Sequence, residues 1–276
     1  MVKVVTDSAA DLPPELASSH GIRVVPLTIR FGTESFLSGV DLDAHQFWTK
    51  LRASSDSPAT AAPSAGEFET VYRELAEEGA DGVVSVHLSE KLSATAQSAK
   101  IAARSAGVRV EVIDSQGVSG TTALMALRAA ELADKGSDLD AIVRDLEELR
   151  DRTKLFAVID TLEYLRRGGR IGGAQALLGT MLQVKPVISI VDGVVEPVGR
   201  VRTRAKAFQH LAGLVKADAG RIDQMVVITG EAPDVDTFLS MLDGVVDIPP
   251  ERVWTLGPVV GTHAGPGVVG VAFSTT

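Results

Sequence analysis

The sequence predicts an α/β protein of two domains, a parallel-sheet domain followed by an α/β domain with a mixed sheet. Three observations carry this. Short β-branched runs alternate with helix-period segments through the first 150 residues, the pattern of a parallel sheet wrapped by helices. The alternation restarts after about residue 152 with "LFAVIDT". Finally, "KPVISIVDGVVEPVG" joins two β-branched runs through Asp192-Gly193, a strong hairpin signal that brings antiparallel pairing into the second half. A chain of 276 residues suits two such units. Their expected limits are residues 1–152 and 153–276, with any ligand held between them.

The elements follow in order. "VKVVTDS" reads as a strand ending at Asp7 and Ser8, "DLPPELASSHG" as a short helix with Pro in its first turn and Gly21 as its stop, and "IRVVPLTIRF" as a second strand. In "SAGEFETVYRELAEEG", Ser64 and Glu67 form a capping box, Phe68, Val71 and Leu75 share a face, and Gly79 terminates the helix. A strand over 82–88, a small-residue helix over about 93–106 and the strand "VRVEVIDS" continue the alternation, followed by helices over about 119–135 and 138–152. The second half reads as "LFAVIDT", a short "LEYLRRGG" helix, the apolar "AQALLGTMLQV" and the hairpin. A helix near 203–217, the strand "QMVVITG", a helix over 233–243, the strand "RVWTL" and a glycine-rich end with strand-like "VVGVAFS" complete it.

Composition narrows the function. Hydrophobic residues make up 45% and charged residues 23%, enough apolar surface for a packed core. Aromatics at 4% argue against base-stacking platforms, and the absence of cysteine removes disulfides, thiolate nucleophiles and cysteine metal sites. No N-terminal apolar run is long enough for a secretion signal and no window approaches a membrane span, so a soluble cytoplasmic protein is expected, touching a membrane at most transiently. The net charge of −9 falls on residues 1–150, with 14 basic against 23 acidic side chains; residues 151–276 carry 13 of each. Between 164 and 206 eight basic side chains face only Asp192 and Glu196. Such an island in an acidic chain argues against nucleic acid and for either an acidic protein partner or a solvated face.

Several motifs bear on chemistry. Asp7-Ser8, Asp114-Ser115 and Asp160-Thr161 each end an apolar strand. Helix capping accounts for each, but strand carboxyl ends are also where α/β proteins bind ligands, so the three pairs are candidates to border one crevice. The hydroxyls of Ser89, Ser93, Thr95 and Ser98 crowd another strand-to-helix junction, where Ser93 either caps the helix or helps to hold an anion. Gly265, Gly267 and Gly270 spell G-x-G-x-x-G, but Pro266 interrupts it and a strand rather than a helix follows, so no dinucleotide site is expected. The five histidines lack metal-ligand spacing, and no metal is expected. Ser93 with His263 could form a nucleophile and base, but no nucleophile elbow surrounds Ser93, and simple hydrogen bonding to an anionic head group asks less of the geometry. The glycines of "RRGGRIGG" read equally as a helix stop and as a place of close backbone approach carrying Arg170.

Taken together these residues resemble the DegV-like bacterial fatty-acid-binding proteins from end to end. The resemblance runs through "TDSAADLP" at 6–13, "TAAPS" at 60–64, "LSATAQSA" at 92–99, "IDS" at 113–115, "LEYLRRGGRIG" at 162–172, "KPVISIVDG" at 185–193, "GRVRTRAKA" at 199–207 and "GPVVGTHAGPGVVG" at 257–270. It implies two α/β domains with a long-chain fatty acid such as palmitate, stearate or oleate between them, and no catalytic residue. The carboxylate contacts it implies fall on Thr60, Ser93 and His263; the strand-end and helix-start residues Asp7, Ser8, Ser64, Thr95 and Ser115 are secondary ligand-site candidates read from the chain itself. It also implies a separate, dihydroxyacetone-kinase-like fatty-acid kinase that forms an acyl phosphate, and the basic island centred on Arg170, Arg200, Arg202 and Arg204 is the expected place for it to dock. The alternative is a serine hydrolase or thioesterase using Ser93 and His263. This chain departs from the family pattern at Ala61, Ala62 and Ala94, where serine, glutamine and glycine are usual.

Overall fold

A computed structural model describes residues 1–178 and 184–276. The first half runs β1 (Val2–Asp7), α1 (Pro14–Ser19), β2 (Ile22–Val25), β3 (Thr28–Phe31), β4 (Glu34–Leu37), α2 (Ala44–Ala53), β5 (Ala59–Ala61), α3 (Ala65–Glu77), β6 (Gly82–His87), α4 (Thr95–Ala103), β7 (Val110–Asp114), α5 (Gly120–Asp134) and α6 (Leu139–Asp151). Strands β2-β1-β6-β7 form an all-parallel sheet in that order. Its strands are the β-branched runs read from the sequence, and the central pair, β1 and β6, is buried on both faces as parallel strands are. Ser64 and Glu67 form the expected capping box at the start of α3.

The stretch "IRVVPLTIRF" is two strands rather than one. Pro26 cannot donate to a ladder, and the chain leaves the parallel sheet there. β3 instead pairs antiparallel with β4 and β5 in a three-stranded sheet. Helix α2, capped by a second box of Asp43 and Gln46, packs beneath with Phe47 and Trp48 fully buried. This small layer brings Thr60 into play, because β5 holds it opposite Ile29.

The second half runs β8 (Thr153–Val158), α7 (Glu163–Arg167), β9 (Lys185–Val191), β10 (Val194–Val201), α8 (Arg204–Asp218), β11 (Ile222–Thr229), α9 (Val235–Ser240), β12 (Val253–Thr255), α10 (Pro258–Ala264) and β13 (Val269–Thr275). Its sheet, ordered β10-β9-β8-β13-β11-β12, is antiparallel except where β12 joins β11. The expected mixed sheet is therefore present, and all its strands lie in the second half of the chain. Asp192 and Gly193, at φ 48° and 78°, make the hairpin turn between β9 and β10. The turn reaches the first half, where Ser89 Oγ donates to the Gly193 carbonyl at 2.8 Å. Within the apolar segment 174–184, residues 174–177 form a 3-10 turn and 179–183 lie outside the described residues.

Period-two alternation gives the mixed sheet two buried faces. On one, Val158, Val187, Val269, Val271 and Phe273 pack against Phe208, Leu211 and Val215 of α8. The other face carries Leu155, Ala157, Ile188 and Ile228 and looks toward the first half, where α5 lies against both β1 and β13. Gly120 admits that contact, since a Cβ there would come within 2.8 Å of Ala272, Val226 and Ile228.

Candidate functional site

Between the inner face of the mixed sheet and the loops at the ends of the parallel strands lies a cavity of about 100 Å³. Its apolar wall is the inner face of the mixed sheet, with Leu155 and Ala157 of β8, Ile188 and Ile190 of β9, Val195 of β10 and Ile228 of β11. The loops after β2, β6 and β7 contribute Leu27, Leu88, Leu92, Val118 and Ser119, so the cavity opens along the carboxyl ends of the parallel strands, as ligand sites in α/β folds do. Small residues make the room: Ala157 and Gly270 sit side by side on β8 and β13.

The polar groups in the wall are few, and four belong to motifs read from the sequence: Thr60, Ser93, Arg170 and His263. His263, near the end of α10, meets Thr60 through Nε2 and Oγ1 at 2.9 Å. Its Nδ1 is buried without a partner among the described residues and lies against Gly168, where a Cβ would come within 2.1 Å. Close approach is thus one reason for a glycine in "RRGGR". Burial, with Arg170 adding, pushes the His263 pKa down to about 4, so the ring is neutral at pH 7. An unpaired ring nitrogen costs less in a buried place than an unpaired N–H, which puts the proton on Nε2. The ring then donates to Thr60, whose own hydroxyl proton is left for the cavity.

Ser93 lies in the cavity wall at the start of α4, where its Oγ also receives the Thr95 N–H at 3.4 Å. Helix α4 is capped by Ala94 with no side-chain hydrogen bond, and Ser93 Oγ lies 2.8 Å from Thr95 Oγ1. Ala94 sits at φ −75°, ψ 5°, which any residue adopts, so the missing glycine causes no distortion here.

The basic residues divide. Arg170, expected on a docking surface, lies in the cavity wall: Nε donates to the Leu92 carbonyl at 3.0 Å and Nη1 to Gly168 at 2.6 Å. Arg204 is also committed, paired with Asp160 and Asp234 and donating to the Gly267 carbonyl. Arg200 and Arg202 are exposed.

The secondary candidates separate from the site, Thr95 excepted. Asp7 is fully buried and accepts from Ala9 N, Leu88 N and His87 Nδ1. Ser8 Oγ accepts from Leu27 N, and Ser115 Oγ pairs with Thr122. Ser64 is spent in its capping box on the exposed start of α3. Asp114 accepts from Gln116 N, Asp160 holds Lys185 and Arg204, and Thr161 accepts from Glu163 N. The three Asp-Ser/Thr pairs therefore tie loops at strand ends and do not line one crevice; capping and turn chemistry explain them. The G-x-G-x-x-G glycines follow α10 and lead into β13, the reverse of a dinucleotide fingerprint. No group of metal-ligating side chains occurs among the described residues, and no helix among them is long and apolar enough to cross a membrane.

With this geometry in place, comparison with known proteins is direct. The DegV family model, described as an uncharacterised protein of the DegV family, matches residues 1–276. A DegV domain-containing protein of Streptomyces coelicolor is 38% identical over 279 residues, covering 99% of this chain and 98% of the relative. Protein DegV of Bacillus subtilis is 31% identical over 277 residues, covering 99% and 98%. Among solved structures, a DegV family protein from Thermus thermophilus described for its fatty acid binding aligns with a TM-score of 0.91 at 38% identity, covering 100% of this chain and 99% of that one. A stearic acid-binding protein from Eubacterium ventriosum aligns with a TM-score of 0.88 at 28% identity, covering 100% and 98%. The chain belongs to the DegV family.

Proposed function

We propose that the protein is a cytoplasmic carrier that binds one long-chain fatty acid, such as palmitate, stearate or oleate, between its lobes 1–152 and 153–276. The observation that carries this reading is the cavity, an apolar slot with Thr60, Ser93, Arg170 and His263 as its cluster of polar groups. Each methylene buried there contributes about 0.8 kcal/mol, so the tail of a sixteen-carbon acid supplies most of the affinity. The head group then needs donors, which the two hydroxyls provide, while the Arg170 guanidinium offsets its charge. Fatty acids named for the solved relatives support the same cargo.

A carboxylate held this way can be presented to a separate, dihydroxyacetone-kinase-like fatty-acid kinase. A carboxylate oxygen would attack the terminal phosphorus of the kinase's nucleotide to give an acyl phosphate and a nucleoside diphosphate. Arg200 and Arg202, exposed and without ion-pair partners among the described residues, suit the docking of that kinase. The hydrolase alternative finds less support. The His263 Nε2 faces Thr60 rather than Ser93, its Nδ1 meets no carboxylate among the described residues, and a ring with a pKa near 4 is a weak base.

Solvent extraction and mass spectrometry of the purified protein tests the reading. The expected result is long-chain fatty acid at close to one per chain, with affinity falling about tenfold or more in the Thr60→Ala/Ser93→Ala variant. Arg200→Glu/Arg202→Glu should slow acyl-phosphate formation at unchanged lipid content. An empty extract, or labelling of Ser93 by a serine-directed phosphonate, would overturn it.

A further inference from the structure

We propose that Thr95 is a positioning residue that fixes the direction of the Ser93 hydroxyl, so that the site selects an ionised carboxylate over a neutral alcohol head group. The proposal rests on the fatty-acid reading above.

Thr95 is the first residue of α4 and is fully buried. Its Oγ1 has one hydrogen-bond partner among the described residues, Ser93 Oγ at 2.8 Å. Each hydroxyl owns a single proton, so the pair has two arrangements. If Ser93 donated to Thr95, the Thr95 proton would be left unpaired in a buried place, at the full cost of desolvating it. If Thr95 donates, both its polar needs are met, and Ser93, half-exposed on the cavity wall, keeps its proton for whatever lies in the cavity. The backbone agrees: Thr95 N–H also points at Ser93 Oγ, at 3.4 Å. Two donors thus address the Ser93 oxygen from the helix side, and its proton is what remains to be offered.

The cavity side is then rich in donors and poor in acceptors. Ser93 offers a proton, Thr60 offers another because His263 occupies its oxygen, and Arg170 is held to the same turn as Ser93 through the Leu92 carbonyl. A carboxylate accepts from all of these. An alcohol must also place its own proton, and the hydroxyl oxygens best placed to accept it are already addressed by donors.

The test compares hexadecanoic acid with 1-hexadecanol on delipidated wild type, Thr95→Val, which keeps the shape and loses the donor, and Thr95→Ser, which restores it. Thr95→Val should lose about tenfold in affinity for the acid with the alcohol unchanged, and Thr95→Ser should recover the acid. In a Ser93→Ala background the Thr95→Val effect should vanish, because nothing remains to be oriented. Should the valine variant not fold, Thr95→Ala is read against Thr95→Ser in the same way. Equal loss for acid and alcohol, or failure of the serine to rescue, would mark a packing role and overturn the proposal. Wild type binding neither ligand overturns the carrier reading itself, and this proposal with it.

Discussion

Two clusters in this molecule use the same parts, a histidine flanked by hydroxyls, to opposite ends. In the parallel sheet, Asp7 Oδ2 pairs with His87 Nδ1 at 2.8 Å, His87 Nε2 with Ser85 Oγ at 2.7 Å, and Tyr72 donates to Ser85 at 2.8 Å. All four residues are fully buried. The chain has one self-consistent direction, from Tyr72 through Ser85 to a ring that donates onward to Asp7. At the cavity, His263 Nδ1 has no partner among the described residues, and in the arrangement derived above the Thr60 and Ser93 protons are left facing the cavity. The first cluster has the composition of a hydrolytic triad but no access for a substrate; the second has access but no carboxylate behind its ring. A closed network rigidifies the junction of β1 and β6, whereas an incomplete one beside an apolar cavity is what the proposed fatty-acid site requires.

Breaking the sealed cluster should give the largest effect. Asp7→Ala leaves the His87 N–H and the Ala9 and Leu88 amides buried without their acceptor, and should destabilise the fold by about 3 kcal/mol or more. Denaturant unfolding would measure this, while lipid bound per folded molecule should stay constant. A loss of lipid at unchanged stability would reverse the roles assigned to the two clusters.

Next in size is an attack on the tail end of the cavity. Ala157→Leu adds three carbons to the wall where Gly270 leaves space, displacing about three methylenes of ligand, or about 2.4 kcal/mol. Competition binding should show about a fifty-fold loss for a sixteen-carbon acid and a smaller one for shorter acids. Equal loss at every chain length would place Ala157 away from the tail.

The smallest effect is on pH dependence. Asp11 accepts from Ser119 and from Gly257 N at the start of α10, and burial pushes its pKa up to about 7 from 3.8. The folded state therefore binds a proton that the unfolded state lacks between those values, and stability falls as pH rises through that window. His263 acts in the other direction: its pKa drops from 6.5 to about 4, so stability is lost as pH falls through its window. From about pH 4 to 6.5 the two slopes oppose each other. Relative to wild type, His263→Asn should make stability fall more steeply with rising pH, and Asp11→Asn should make it rise. Urea midpoints across this range check the pair, and parallel profiles for all three proteins would refute it.

Much of this architecture is legible in the chain because it is local. The Ser64–Glu67 box, the Asp192-Gly193 turn and the helix expected over 119–135, observed at Gly120–Asp134, each depend on a few neighbouring residues. Pro26 was a local signal too, and reading through it joined strands that belong to different sheets. The segment from β4 through α2 announces itself poorly, since its order comes from distant contacts such as Trp48 Nε1 donating to the Leu256 carbonyl at 3.0 Å. Thr60, Ser93 and His263 emerge together through the family resemblance; their spacing of 33 and 170 residues carries no geometric signal of its own.

By itself the sequence determined the class of the large sheet in each half, the boundaries of the helices it announced to within a few residues, the lack of thiol chemistry and the membership of a family; the small antiparallel sheet, α2 and the α10 helix that carries His263, read as a glycine-rich end, it did not. The sheet, helix and thiol readings follow from periodicity, capping and composition, which are properties of neighbours along a chain, while the family follows from the order of its motifs. Only the tertiary structure decided that Arg170 faces inward while Arg200 and Arg202 face out, that Asp7 is sealed, and that His263 stays neutral. Charge, burial and hydrogen-bond direction depend on what lies across a gap, and a linear string of residues does not record distances across space.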